Sequence, residues 1–156
     1  MGSTKRRLDV GSIADKLVLQ SSENSDTRDL IKRARSCLLH AYVPYSDFAV
    51  GAVVVDDQGR HFGGSNIENA SYGLTMCAER VAIFAAVAAG AKAISSVTVT
   101  SAKSRPVSPC GACRQVMLEF CKPNALFYSD AGRGRVVSCL VRDLLPDAFV
   151  GRSLAG

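Results

Sequence analysis

The stretch FAVGAVVVDDQGRHFGGSNIEN, residues 48–69, decides the fold of this 156-residue chain. Its first half is rich in β-branched residues, DDQGR is a turn signal, and an extended pattern resumes after the turn. The two halves therefore predict an antiparallel hairpin. A hairpin that is followed by alternating strands and helices favours an α/β fold with one mixed sheet and helices on both faces.

Helices and strands are predicted on both sides of this hairpin. Apolar residues at helical spacing predict an amphipathic helix over residues 26–42. The elements predicted after the hairpin are a helix over 77–90, a strand over 94–102, a helix over 110–120 and strands over 125–130 and 136–141. The helix over 77–90 has almost no polar residue after Arg80, so we expect a subunit interface to cover it.

The remaining regions of the sequence limit where the protein can be located and what it can bind. Residues 1–25 are polar and Ser-rich, so we expect a flexible extension, with at most a turn of helix over 13–20, before a domain over 26–156. No apolar run approaches the length of a membrane span, and no secretory signal is recognisable. The net charge is a modest +5, and beyond the N-terminal region only GRGR (132–135) is locally basic. We therefore expect a cytoplasmic protein that binds neither membranes nor nucleic acid.

Two cysteine motifs carry the chemistry, and the first is SPCGACRQ, residues 108–115. Cys110 and Cys113 are three positions apart at the start of a predicted helix, so both side chains lie on one face of its first turn. Unpaired backbone N–H groups and the helix dipole stabilise thiolates there. This spacing alone fits a redox pair as well as a metal site.

The second motif is MCAER, residues 76–80, in which Cys77 begins another predicted helix and Glu79 follows two positions later. Three thiolates leave one coordination position of zinc open for water, and a carboxylate nearby can transfer the protons of that water. Cys-Ala-Glu followed by Pro-Cys-x-x-Cys is the three-cysteine form of the zinc deaminase signature. The other three cysteines, which lie in apolar stretches and are expected in the core, are Cys37, Cys121 and Cys139.

From about residue 28 to residue 149, the chain resembles the small, homotetrameric, zinc-dependent cytidine deaminases. The motifs that carry the resemblance, in the family's order, are AYVPYSDFAVGA, NIENASYGLTMCAER, SPCGACRQVMLEF and LLPDAF. The resemblance implies a three-layer α/β/α fold around a mixed five-stranded sheet. It also implies one zinc ion per subunit, a homotetramer with shared active sites, and hydrolysis of cytidine and 2′-deoxycytidine to uridine and 2′-deoxyuridine plus ammonia in pyrimidine salvage.

The resemblance assigns roles around the metal. The zinc ligands it implies are Cys77, Cys110 and Cys113. Glu79 is expected to shuttle protons while water attacks C4 of the cytosine ring. Arg80 resembles the family arginine that hydrogen-bonds the ligand sulfurs, and Gln115 is expected to act likewise.

The resemblance also assigns the substrate contacts. Phe48 matches the residue that packs against the ring, and Asn66 and Glu68 match those that bind the ribose hydroxyls. Because Asn66 and Glu68 are two residues apart on an extended segment, their side chains lie on the same face of that segment.

Three further positions, Ala70, Tyr72 and Phe149, resemble residues that enter the active site of a neighbouring subunit, while the backbone of Ala78 faces the base. The chain departs from the family pattern after Phe149, where VGRSLAG replaces the common acidic ending.

Two other functions compete with this interpretation. One is a deaminase of a bulkier aminopyrimidine nucleoside, of the blasticidin S type, against which the NIEN string argues. The other is a non-catalytic zinc protein or a thiol redox protein, and Glu79 argues against both because neither needs a carboxylate beside the metal.

Overall fold

A mixed β-sheet forms the centre of the molecule in the computed structural model, which describes residues 18–21, 25–103 and 105–151. The strands of these residues are β1 (Val18–Ser21), β2 (Val50–Asp56), β3 (His61–Ser65), β4 (Ile94–Ser101), β5 (Cys121–Gly132) and β6 (Arg135–Leu140). Their order across the sheet is β1-β6-β5-β4-β2-β3. The pair β4 and β5 is parallel, and the other neighbouring pairs are antiparallel.

Three α-helices cover this sheet within the described residues, close to the predicted positions, except that the first ends at Cys37 and not near residue 42. They are α1 (Ser25–Cys37), α2 (Ala78–Ala88) and α3 (Gly111–Phe120). None of the described helices is long and apolar enough to cross a bilayer. The predicted hairpin is confirmed as β2 and β3, and Asp56 closes its turn by accepting hydrogen bonds from the backbone N–H of Gln58 (2.9 Å) and of Arg60 (2.8 Å).

Strand β1 adds a sixth strand to the five that were expected. It pairs antiparallel with β6, from Val18 opposite Ser138 to Ser21 opposite Arg135. The turn of helix predicted within 13–20 is thus corrected to strand for residues 18–20, because the open edge of β6 offers backbone hydrogen bonds that a short helix cannot match. The rest of the predicted flexible extension, residues 1–17 and 22–24, lies outside the described residues, as do residues 152–156 of the atypical C-terminus.

The helices lie on both faces of the sheet, as predicted. Alternate residues of β2 point to opposite faces. Ala52 and Val54 belong to the larger core, which β2 forms with α2 and α3, whereas Val53 packs with Leu30 and Ala34 of α1.

Two glycines set how closely the helices approach the sheet. A Cβ atom on Gly51 would overlap the backbone carbonyl of Ala34 in α1. A Cβ atom on Gly64 would lie 2.5 Å from the backbone nitrogen of Ala82 and would overlap the carbonyl of Ala78, both in α2. The start of α2 therefore rests directly on the backbone of β3.

Candidate active site and metal centre

Three cysteines meet where α2 and α3 begin. Cys77 and Cys110 are the residues immediately before α2 and α3, and Cys113 lies in the first turn of α3. The Sγ atoms of Cys77 and Cys110 are 3.8 Å apart, and those of Cys110 and Cys113 are 3.5 Å apart. Within the described part of the chain, this cysteine trio is the only group of three or more side chains placed to share a metal ion.

The spacing of the cysteine trio fits zinc. Tetrahedral zinc with Zn–S bonds of about 2.3 Å places its sulfur ligands about 3.8 Å apart. The three sulfur atoms all lie within 4.8 Å of one another, and the separations of 3.8 Å and 3.5 Å that Cys110 makes with its two neighbours are close to the distance expected for zinc. Three sulfur ligands leave one of four zinc positions open, which is typical of a catalytic site rather than a structural one.

The thiols of the trio are electrostatically coupled. A hydrogen bond from Cys113, assisted by Arg80 and Cys110, lowers the pKa of Cys77 to about 5, although burial acts in the opposite direction. The same hydrogen bond raises the pKa of Cys113 far above its usual range, and burial raises it further. One thiolate is therefore already favoured at neutral pH, and a metal ion must displace the remaining protons as it binds.

Arg80 and Gln115 were both expected to hydrogen-bond the ligand sulfurs. In the structure Arg80 lies beside one of these sulfurs, and Gln115 has a different partner. The Nη2 atom of Arg80 donates to the carbonyl of Thr75 at 3.2 Å and lies 3.6 Å from the Sγ atom of Cys77. Gln115 instead donates from Nε2 to the carbonyl of Phe149 at 2.7 Å. At 100° per residue, two positions along α3 turn Gln115 away from the face of Cys113, so it holds the C-terminal segment.

Glu79 lies in the first turn of α2, beside the trio, with only 3% of its surface exposed. Burial raises the pKa of its carboxyl to about 7, and the neighbouring Cys77 thiolate adds to the effect. A carboxyl with such a pKa gains and loses a proton readily near neutral pH, as a general acid and base must.

A cavity of about 430 Å³ joins Glu79 to most of the predicted substrate residues. The predicted residues that line it are Phe48, Asn66, Glu68, Cys77, Ala78, Glu79 and Cys110. The lining residues that the sequence analysis missed are Ser46, Val50, Thr75, Val107 and Ser108. Each of these five lies within or beside a motif quoted above, so its closeness to that motif in the sequence could have identified it as a lining residue.

Asn66 and Glu68 line one wall of this cavity and also hold its backbone. Asn66 donates from Nδ2 to the carbonyl of Phe48 at 2.9 Å, and its Oδ1 accepts from the N–H of Val50 at 2.9 Å. Glu68 accepts at Oε2 from the N–H groups of Tyr45 (2.9 Å) and Ser46 (3.2 Å). The Ser46 hydroxyl contributes most to lowering the pKa of Glu68, so this carboxylate is charged at neutral pH.

A comparison with protein families identifies the arrangement. The family described as the cytidine and deoxycytidylate deaminase zinc-binding region matches residues 24–129. The chain belongs to this deaminase family. Zinc is its cofactor, and the cysteine trio is the group of side chains that can hold it.

Relatives of known name cover most of the chain. A cytidine deaminase of Halalkalibacterium halodurans is 45% identical over 129 residues, which are 83% of this chain and 98% of that protein. A cytidine deaminase of Mycobacterium tuberculosis is 43% identical over 109 residues, 70% of this chain and 78% of that protein.

Solved deaminase structures share the fold. The cytidine deaminase of Burkholderia pseudomallei superposes with a TM-score of 0.74 at 46% identity, covering 78% of this chain and 98% of that one. The cytidine deaminase of M. tuberculosis superposes with a TM-score of 0.71 at 38% identity, covering 81% of this chain and 99% of that one. These neighbours confirm the predicted fold class.

Three residues matched to the deaminase pattern lie outside the cavity of their own chain. Ala70, Tyr72 and Phe149 are exposed, the last two to 74% and 60%. Tyr72 lines a neighbouring cavity of about 330 Å³, which shares Glu68 with the cavity around Glu79. The structure therefore places Tyr72 at the rim of the deaminase site, not inside it.

The loop between β4 and α3 adds a feature that the sequence analysis did not find. The Nζ atom of Lys103 lies 5.4 Å from the centroid of the Phe48 ring, and the Cζ atom of Arg105 lies 5.9 Å from it. Cations at these distances are attracted to the ring face. They help to fix Phe48, which was expected to pack against the base.

Proposed function

We propose that this chain catalyses the hydrolytic deamination of cytidine and 2′-deoxycytidine to uridine and 2′-deoxyuridine with release of ammonia. Its family and the named activity of its relatives support this function. One observation of the site carries it furthest. Glu79, a buried carboxyl with a pKa of about 7, lines the same cavity as Cys77 and Cys110 of the cysteine trio.

Glu79 performs the proton transfers of this reaction. A zinc ion held by the cysteine trio would supply Lewis acidity, which favours deprotonation of the attacking water. Glu79 accepts a proton from the attacking water and delivers it to the ring nitrogen beside C4. It then accepts the second proton from the new hydroxyl at C4 and delivers it to the departing amine. A C–O bond forms at C4, the C–N bond breaks, and ammonia leaves. Because the carboxyl is buried, these protons pass between Glu79 and the substrate and are not lost to solvent.

The walls of the cavity orient the nucleoside. Phe48 packs against the base, and the backbone of Ala78 faces it from the start of α2. Glu68 binds the ribose hydroxyls with its charged carboxylate, together with Asn66. The backbone hydrogen bonds that both side chains make hold them in place before the substrate arrives, so little ordering is needed on binding.

The active form is a homotetramer with shared sites. The outward face of α2 is apolar, and Phe84 on it is 42% exposed. The other large apolar side chains exposed in the described region between residues 39 and 149 are Leu39, Tyr42, Tyr45, Ile67, Tyr72, Leu74, Leu126 and Phe149. Exposed apolar residues in this number favour contact with other subunits. Ala70, Tyr72 and Phe149 reach the cavity of a neighbouring subunit.

The reaction belongs to pyrimidine salvage, since it converts one free nucleoside into another. It takes place in the cytoplasm, where a reducing environment keeps the thiols of the cysteine trio available to zinc.

Replacing Glu79 by Gln tests the proposed chemistry. The amide keeps the size of the side chain but cannot transfer protons, so turnover of cytidine falls by about 100- to 10,000-fold. Zinc content, measured by atomic absorption, stays at the wild-type level. Glu119→Gln is the matched control, because Glu119 is an exposed glutamate on α3. Near-normal turnover by a zinc-loaded Glu79→Gln protein would contradict the mechanism.

A further inference from the structure

A second cavity, larger than the one that contains Glu79, lies in another part of the described structure. A cavity of about 690 Å³ opens where the C-terminal end of α1 meets the hairpin between β5 and β6. Three arginines line it, Arg35, Arg133 and Arg135, and no acidic side chain is among its lining residues. Two of these arginines belong to GRGR (132–135), the basic motif that the proposed deamination does not use.

Arg35 is held in a fixed position. Its Nε and Nη2 atoms lie 2.8 Å and 2.7 Å from Oδ2 of Asp130, a buried carboxylate. The same carboxylate accepts from the hydroxyl of Thr100 at 2.8 Å and from the N–H of Gly132 at 2.9 Å. Asp130 thus ties the guanidinium of α1 to the hairpin and balances one of the three positive charges.

Arg133 and Arg135 supply the other two positive charges of the cavity. Neither takes part in a salt bridge with any other described residue. Counted over the described residues alone, the cavity therefore carries about two positive charges without an acidic partner. Lys32, which is exposed on α1, lines an adjoining cavity of about 420 Å³ that shares Arg35 with the first and also contacts Asp130. Such a concentration of positive potential favours a multiply charged anion.

Arg133 occupies a position that local backbone preferences argue against. It has φ 53° and is followed by Gly134 with φ 70°, so both residues between β5 and β6 adopt the left-handed conformation. Hairpin turns of this kind strongly prefer Asn, Asp or Gly at both positions. A residue held against its backbone preference suggests a functional role for its side chain. Here the role available is to aim a guanidinium at the cavity.

The walls of the cavity indicate what kind of anion fits. Guanidinium groups bind phosphate oxygens in pairs of parallel hydrogen bonds. Leu38, Ala102 and Ala131 supply an apolar wall beside the arginines, against which a base can pack. No aromatic side chain lines the cavity, which argues against a platform for single-stranded nucleic acid. We propose that this cavity binds a nucleotide through its polyphosphate group, separately from the catalytic site.

Isothermal titration calorimetry on the full-length, zinc-loaded protein tests the proposal. ATP and inorganic tripolyphosphate are the probes, because both offer the phosphate chain and only ATP offers a base. Both are expected to bind, and ATP more tightly. Equal affinities would overturn the assignment of a nucleotide, and the absence of binding at millimolar ATP would overturn the site.

The variant Arg133→Gln/Arg135→Gln locates the binding. Losing two charge-assisted contacts weakens ATP binding by at least about tenfold. The control Lys92→Gln/Arg142→Gln removes the same charge from exposed positions outside the cavity, and its affinity stays within about twofold of wild type since screening weakens distant charges. Unchanged ATP binding by the first variant would place the ligand elsewhere, for example in the catalytic cavity.

Arg133→Gly separates binding from stability. Glycine suits a φ of 53° better than arginine, so the thermal midpoint of this variant is expected to be equal to or higher than that of wild type. ATP binding is expected to weaken all the same. Full ATP affinity in Arg133→Gly would show that its side chain has no part in the site.

Discussion

Replacing Gly64 by Ala is expected to damage the metal centre without touching a ligand. A Cβ atom at this position would lie 2.5 Å from the backbone nitrogen of Ala82, whereas ordinary contacts begin at 3.4 Å. The start of α2 must therefore move by roughly 1 Å, and Cys77 directly precedes α2. Metal sites tolerate errors of only about 0.2 Å in ligand distance. The displaced Cys77 can no longer complete the cysteine trio without strain.

Two losses are expected together. Overpacking of this kind lowers the free energy of unfolding by about 1–3 kcal/mol, which corresponds to a thermal midpoint lower by roughly 3–10 °C in a chain of this size. Zinc affinity falls by about 10- to 100-fold, as it does when the support of a ligand is removed. Thermal unfolding and competition for zinc with a chromophoric chelator measure the two effects on the same samples.

Gly63→Ala is the matched control. Gly63 is the preceding residue in β3 and points to the opposite face, where its Cβ atom would meet only the Sγ atom of Cys37, at 2.8 Å. That side-chain atom can move, so zinc affinity is expected to stay at the wild-type level. If Gly64→Ala and Gly63→Ala bound zinc equally well, the close packing of α2 on β3 could not be what positions Cys77.

Three further predictions concern the metal, the substrate and the assembly. Replacing all three residues of the cysteine trio by Ala is expected to abolish zinc binding, whereas Cys37→Ala leaves about one zinc per chain by metal analysis; full occupancy in the triple variant would refute the ligand assignment. Asn66→Ala and Glu68→Ala are expected to lower kcat/KM for cytidine by about 10- to 1000-fold with zinc retained, and unchanged kinetics would move the sugar site elsewhere. Phe84→Asp is expected to shift the mass in light scattering from tetramer towards smaller species; an unchanged mass would remove α2 from the interface.

The sequence was sufficient to predict those helices and strands that depend on residues close together in the chain. The periodicity of residues 26–42 and the turn at 56–60 predicted α1 and the β2–β3 hairpin because helix and hairpin are decided locally. Strand β1 was missed because its stability comes from β6, more than a hundred positions away, and four residues carry no periodicity of their own.

The candidate site shows the same division. The two cysteine motifs were recognisable because ligand spacing within a helical turn is a local property. The contact of Lys103 and Arg105 with Phe48 could not be predicted from the sequence, because it depends on how the loop after β4 folds back over the start of β2. The two roles of Asn66, which lines the cavity and also hydrogen-bonds the backbone, could not be predicted either. The sequence does not show which groups a side chain contacts.

The cysteine trio joins segments that are far apart in the chain, with all of α2 and β4 between Cys77 and Cys110. A bound ion therefore acts as a reversible cross-link that shortens the loop the unfolded chain must close, much as a disulfide does. Catalytic competence and resistance to unfolding then depend on one occupancy, and a zinc-free sample loses both at once. Heat resistance would report metal loading before any assay of activity, and a cell short of zinc would hold less of the protein rather than a pool of idle enzyme.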